Sequence, residues 1–92
     1  MPTAAIRPVL IHVAPEAAAR ELHELLADYQ ATIEEGDDMH TVSVEPVDAL
    51  RRGTVIYRVI QASRTVSAHH PDSTLYLVTE DGSRWRLPPP AL

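Results

Sequence analysis

Apolar side chains fall into five successive patterns along this chain. Pro8 to Ala14 reads PVLIHVA, with Val9, Ile11 and Val13 on one face of a strand and Leu10 and His12 on the other. A strand that is apolar on nearly both sides belongs in the interior of a sheet. Next, Ala18, Leu22, Leu25, Leu26, Tyr29 and Ile33 recur at helical spacing. Pro15 suits the first position of a helix, and the dipole favours an acid at Glu16. Arg20, Glu24 and Asp28 fall on the opposite side, where the Glu16–Arg20 and Arg20–Glu24 spacings support a helix. The spacing predicts a helix from about Pro15 to Glu35.

His40 to Pro46 alternates as a half-buried strand, with Val42 and Val44 inward and Thr41 and Ser43 outward, until Pro46 stops it. The following segment is rich in Thr, Val, Ile and Tyr, which favour strands. Its period is helical, however: Val55, Ile56, Val59, Ile60, Ala62 and Val66 share one face, and Thr54, Arg58, Gln61, Arg64 and Thr65 the other. The period predicts a helix over 54–68, capped by Thr54 and ended by His69, His70 and Pro71. Gly53 separates it from a short turn at Asp48–Arg52. Finally, Thr74–Glu80 and Ser83–Leu87 flank Asp81-Gly82, the dipeptide of a type I′ hairpin turn. A two-residue turn pairs Val78 with Trp85 and Tyr76 with Leu87 on a face directed at the core. It pairs Leu77 with Arg86 and Thr79 with Arg84 on the other face.

The predicted order is β-α-β-α-β-β. It implies an α+β fold in two layers, a four-stranded mixed sheet with two helices on one face and a C-terminal hairpin. One domain covers residues 1–88, and 89–92 form a proline-rich tail that cannot pair as a central strand. The open face of the sheet would carry His12, Thr41, Ser43, Arg84 and Arg86.

Composition narrows the function classes. A chain of 92 residues makes one domain and buries roughly 60–65% of its unfolded surface. With 45% apolar and 23% charged residues, it has enough apolar side chain to offset the cost of ordering. The absence of cysteine excludes disulfides, thiol catalysis and cysteine-ligated zinc. No apolar run approaches the ~20 residues that span a bilayer. The N-terminus lacks the basic start and apolar core of a signal peptide, so the expected location is cytoplasmic. All eight basic residues are arginine, and lysine, asparagine and phenylalanine are absent. Those three have AT-rich codons, which points to a GC-rich bacterial or phage genome.

Charge is divided along the chain. Residues 1–48 hold ten acids and two arginines, a balance of −8; residues 49–92 hold three acids and six arginines, a balance of +3. An acidic chain is a poor unspecific binder of nucleic acid, because that affinity comes from neutralising phosphates. The division either draws the two halves together within one fold or supports head-to-tail association.

Several features share one likeness: a helix after Gly53, a polar pair before Pro71-Asp72, a strand, and Asp81-Gly82 followed by Arg84. Together they cover about a third of the chain and resemble the effector-associated constant component domains of bacterial conflict systems. The resemblance implies a small non-catalytic adaptor in a defence or signalling operon, and it brings no catalytic residues with it.

The stretch EEGDDMH, residues 34–40, puts four carboxylates and an imidazole together. Gly36 suits the position just past a helix C-terminus. Glu34 and Glu35 would then face the negative end of the dipole, which invites a positive partner. The stretch lacks the alternating ligands and terminal glutamate of a calcium loop, and reads as a solvated loop or a partner-facing acidic patch. His12 reads as a buried neutral histidine with one partner. His23 has no second ligand on its helix face, and His69-His70 needs a further ligand to hold zinc. Ser43 and His40 lie on opposite faces of a strand, no GxSxG elbow exists, and the three glycines form no phosphate loop. No catalytic residue, metal or cofactor is expected.

The expected function is a protein–protein interaction module (an adaptor, an inhibitor or a subunit of an assembly) with charge-complementary surfaces. Glu24, Asp28, Glu34, Glu35, Asp37 and Asp38 form one surface, and Arg58, Arg64, Arg84 and Arg86 the other. The partner is a protein or a second copy, with no membrane. One alternative is a nucleic-acid-associated regulator using Arg84 and Arg86, although Tyr57, Tyr76 and Trp85 are few for base stacking. The other is a metal-dependent hydrolase built on His69, His70 and nearby acids.

Overall fold

The computed structural model describes residues 8–44, 49–79 and 81–88, and side chains within the second helix from Gly53 onward. Its elements are β1 (Val9–Ala14), α1 (Glu16–Leu25), a 3-10 helix (Ala27–Tyr29), β2 (Thr32–Glu34), β3 (His40–Val44), α2 (Ala49–His69), β4 (Thr74–Val78) and β5 (Arg84–Leu87). The strands lie in the order β2-β3-β1-β4-β5 and every neighbouring pair is antiparallel. The first six strands and α-helices have the split β-α-β order of the ferredoxin-like arrangement, and β5 extends it by one strand.

The two-sided apolar strand β1 lies in the middle, as its pattern requires. Val9, Ile11 and Val13 share a face with Val42, Val44, Leu75 and Leu87, all buried. Ala18, Ala19 and Leu22 of α1 and Val55, Val59, Ala62 and Val66 of α2 close over that face. Both helices thus cover one side of the sheet, and residues 54–62 are helical, as their period predicts. Ser63, also buried, donates its hydroxyl to the Ile60 carbonyl at 2.6 Å.

The sheet is five-stranded and antiparallel, not four-stranded and mixed. The additional strand comes from residues whose spacing predicts the end of the first helix. That helix stops at Leu25 instead of Glu35. The Leu26 amide still donates to the Leu22 and His23 carbonyls at 3.1 and 3.3 Å, but Tyr29 donates to Leu26 in a tighter turn at 2.9 Å. Gln30 then takes a left-handed conformation with φ 56°. The ring of His23 donates through Nε2 to the Ala31 carbonyl at 2.9 Å and pins the exit. Thr32 and Ile33 are β-branched and fit an extended backbone. Ile33 remains against the core by pairing with Val42, so its place in the apolar stripe is satisfied by a strand as well as by a helix.

The second helix begins earlier than its period predicts. It includes residues 49–52 and Gly53, where a separate turn was expected; Asp48 and Pro46 lie outside the described residues, as does the tail 89–92.

The hairpin is one residue out of the expected register. Leu75 pairs with Leu87, Leu77 with Trp85, Tyr76 with Arg86 and Val78 with Arg84. The turn closes by the Thr79 amide donating to the Ser83 carbonyl at 2.8 Å and the Gly82 amide donating to the Thr79 carbonyl at 3.0 Å. Gly82 has φ +88°, a backbone that side chains rarely adopt. Asp81 accepts from the Thr79 hydroxyl and from the Ser83 amide, which favours this longer turn over a two-residue one. A slip of one residue exchanges faces. Here the exchange falls on β4: Leu75 and Leu77 turn to the helix side and Tyr76 moves to the open face, while Leu87 and Trp85 keep the expected side, Leu87 buried and Trp85 65% exposed.

Candidate functional site

Strand β5 lies at the edge of the sheet, with Arg84, Trp85 and Arg86 exposed and Leu87 buried. Strand alternation sends Arg84 and Arg86 to the open face, as expected, and Trp85 toward the helices. The Arg84 guanidinium sits 5.0 Å from the centre of the Tyr76 ring, an attraction that holds this arginine over the open face. On the helix side two adjoining hollows of about 450 and 650 Å³ share Ile56, Leu77 and Trp85. Ile60 and Leu87 add to the larger, giving a groove between α2 and the edge strand with an aromatic rim.

The other two arginines of the expected surface lie elsewhere. Arg58 and Arg64 are exposed on α2, and Arg58 donates to the Tyr29 hydroxyl at 3.2 Å. Arg84 and Arg86 thus come together, while Arg58 and Arg64 belong to the helix layer.

The acidic set is also divided. Glu24 and Asp28 are exposed on α1 and the 3-10 helix. Glu34 lies on β2, at the sheet edge opposite β5, and pairs with Thr41 on the open face. Glu35, Asp37 and Asp38 are exposed between β2 and β3. Gly36 does not follow a helix C-terminus. A Cβ there would lie 2.1 Å from the Met39 carbonyl oxygen, so this loop needs glycine for a close approach of backbone.

Two imidazole–carboxylate groups depend on contacts that sequence spacing does not reveal. Pairing of Val13 with His40 brings His40 to Glu16, and the ligand atoms of Glu16, Glu35 and His40 lie within 4.8 Å of one another. Glu16 also pairs with Arg20 at 3.2 Å, and both glutamates are exposed. Glu21 accepts from His69 Nδ1 at 3.0 and 3.1 Å and lies 3.8 Å from His70 Nε2. That contact ties α1 to the C-terminal end of α2 and supplies an acid partner for the histidine pair from 48 residues away. His12 is half-buried between Thr41 and Tyr76 on the open face, where a buried histidine was expected.

Among the described residues, Asp81 has a clearly shifted acidity. The Thr79 hydroxyl first, and then the Ser83 amide, hold its carboxyl down at about 2. Among the described residues no helix is long and apolar enough to cross a membrane. Compared with known proteins, the chain matches no family model, no curated protein and no solved structure.

Proposed function

We propose that this protein is a small non-catalytic interaction module that binds another protein along β5 and the groove beside it. The observation that carries this reading is Trp85, 65% exposed between two exposed arginines on an edge strand. An edge strand offers unpaired backbone groups to a partner strand. Exposed tryptophan and arginine are the side chains that most often carry binding energy at interfaces. Arg84 and Arg86 select for acidic partners through guanidinium–carboxylate pairing. The likeness of the Gly53–Leu87 region to effector-associated constant component domains agrees with an adaptor role.

The nucleic-acid alternative finds less support. Arg84 covers the Tyr76 ring, and Trp85 turns to the helix side, so neither aromatic is offered on the open face for stacking bases. The net charge of −5 also repels phosphate.

Capture experiments test the proposal. Immobilised full-length protein is expected to retain a partner at low salt, release it at high salt, and lose it on Trp85→Ser with Arg86→Glu. Circular dichroism would establish that the double variant is folded. Capture indifferent to both salt and these substitutions would overturn the proposal.

A further inference from the structure

The two edges of the sheet carry matching surfaces. Among the described residues β2 and β5 are the outermost strands. Counting antiparallel pairings outward from β1, both run in the direction of β1. Copies set side by side with their helices on the same side therefore join β5 of one to β2 of the next as a parallel pair. One register aligns three positions: Arg84 beside Thr32, Trp85 beside Ile33, and Arg86 beside Glu34. Arg86 and Glu34 then meet on the open face, where both side chains already point. Ile33, half-buried at its own edge, faces Trp85 over the groove floored by Ile56 and Ile60.

Symmetric pairings match less well. Two β5 strands about a twofold axis set Arg84 opposite the other copy's Arg86, like charges directly across. Two β2 strands crowd Glu34, Glu35, Asp37 and Asp38 of both copies. With a net charge of −5, unselective approach is repulsive, and attraction must come from local patches of opposite sign.

We propose that the chain associates head to tail with copies of itself, β5 of one copy receiving β2 of the next. This rests on reading β5 as a protein-binding edge, and it names a second copy as the occupant. The contact is heterologous, so it does not close at two copies but extends. The strands are three and four residues long, and parallel pairing is the weaker kind, so each contact is weak and responsive to concentration and salt.

Sedimentation velocity of the full chain tests it. Wild-type protein is expected to gain mass continuously past the dimer as concentration rises, and to lose it at high salt. R86E alone and E34R alone are each expected to associate about tenfold more weakly or less, because each places like charges across the contact. Mixing the two variants is expected to restore association, since their reversed charges then face one another; a merely misfolded variant would not be rescued. Wild type that stays monomeric at about 1 mM, a closed dimer, or a mixture no larger than its parts would each overturn the proposal. If wild type is monomeric yet captures another protein through Trp85 and Arg86, self-association fails and the interaction reading stands. If that capture is also absent, both fail.

Discussion

Asp81 accepts hydrogen bonds from the Thr79 hydroxyl and the Ser83 amide, and both favour its charged form. Its carboxyl accordingly titrates at about 2 instead of 3.8. A folded-state value below the unfolded one means that the turn's contribution is complete above pH 3.8 and is lost as pH falls through about 2. A carbon-detected NMR titration is expected to place the Asp81 midpoint near 2, and Thr79→Val is expected to return it toward 3.8. Equal midpoints in the two proteins would contradict the assigned cause. The hairpin register depends on the same residues. The Asp81-Gly82 dipeptide is equally at home in a two-residue turn, and only its bonds to Thr79 and Ser83 distinguish the longer one.

At the scale of elements, the end of α1 separates sequence pattern from structure. Gln30 occupies a left-handed backbone with φ 56°, where glycine is the favoured residue. Gln30→Gly is therefore expected to raise stability by up to about 1 kcal/mol. In a helix continuing to Glu35 the same change would lower stability by about as much, so thermal denaturation decides between the two. The central strand, the helical period of 55–66 and the placement of Arg84 and Arg86 on the open face were legible, because each follows from a repeating face of side chains. The fate of residues 32–34 was not: three residues contain too little periodicity to separate a strand from a last helical turn. Reading those residues as helix also concealed the second edge of the sheet. Glu34 read as an acid at the wrong end of a dipole, when it occupies the sheet edge opposite the arginines. The Glu21–His69 contact was equally invisible, since only the packing of α1 on α2 creates it.

Across the whole molecule, the core consists of valine, leucine, isoleucine and alanine, with neither phenylalanine nor the single tryptophan in it. A chain that can bury a large aromatic usually does, because such a side chain adds more apolar contact than any other. Here the tryptophan is 65% exposed at a sheet edge, beside a groove wide enough to receive a neighbouring side chain. Its exposure is a cost to the isolated chain and a gain on association, which makes its fluorescence a direct reporter of occupancy. Dilute protein in high salt is expected to emit near the wavelength of water-exposed indole. Raising the concentration at low salt is expected to shift emission to the blue, and Glu34→Arg to abolish that shift without changing the dilute spectrum. A spectrum already blue-shifted in dilute, high-salt solution would mean that Trp85 is covered within a single copy. The edge would then be closed, and the charge matching between β2 and β5 would have no exposed apolar surface to bring together.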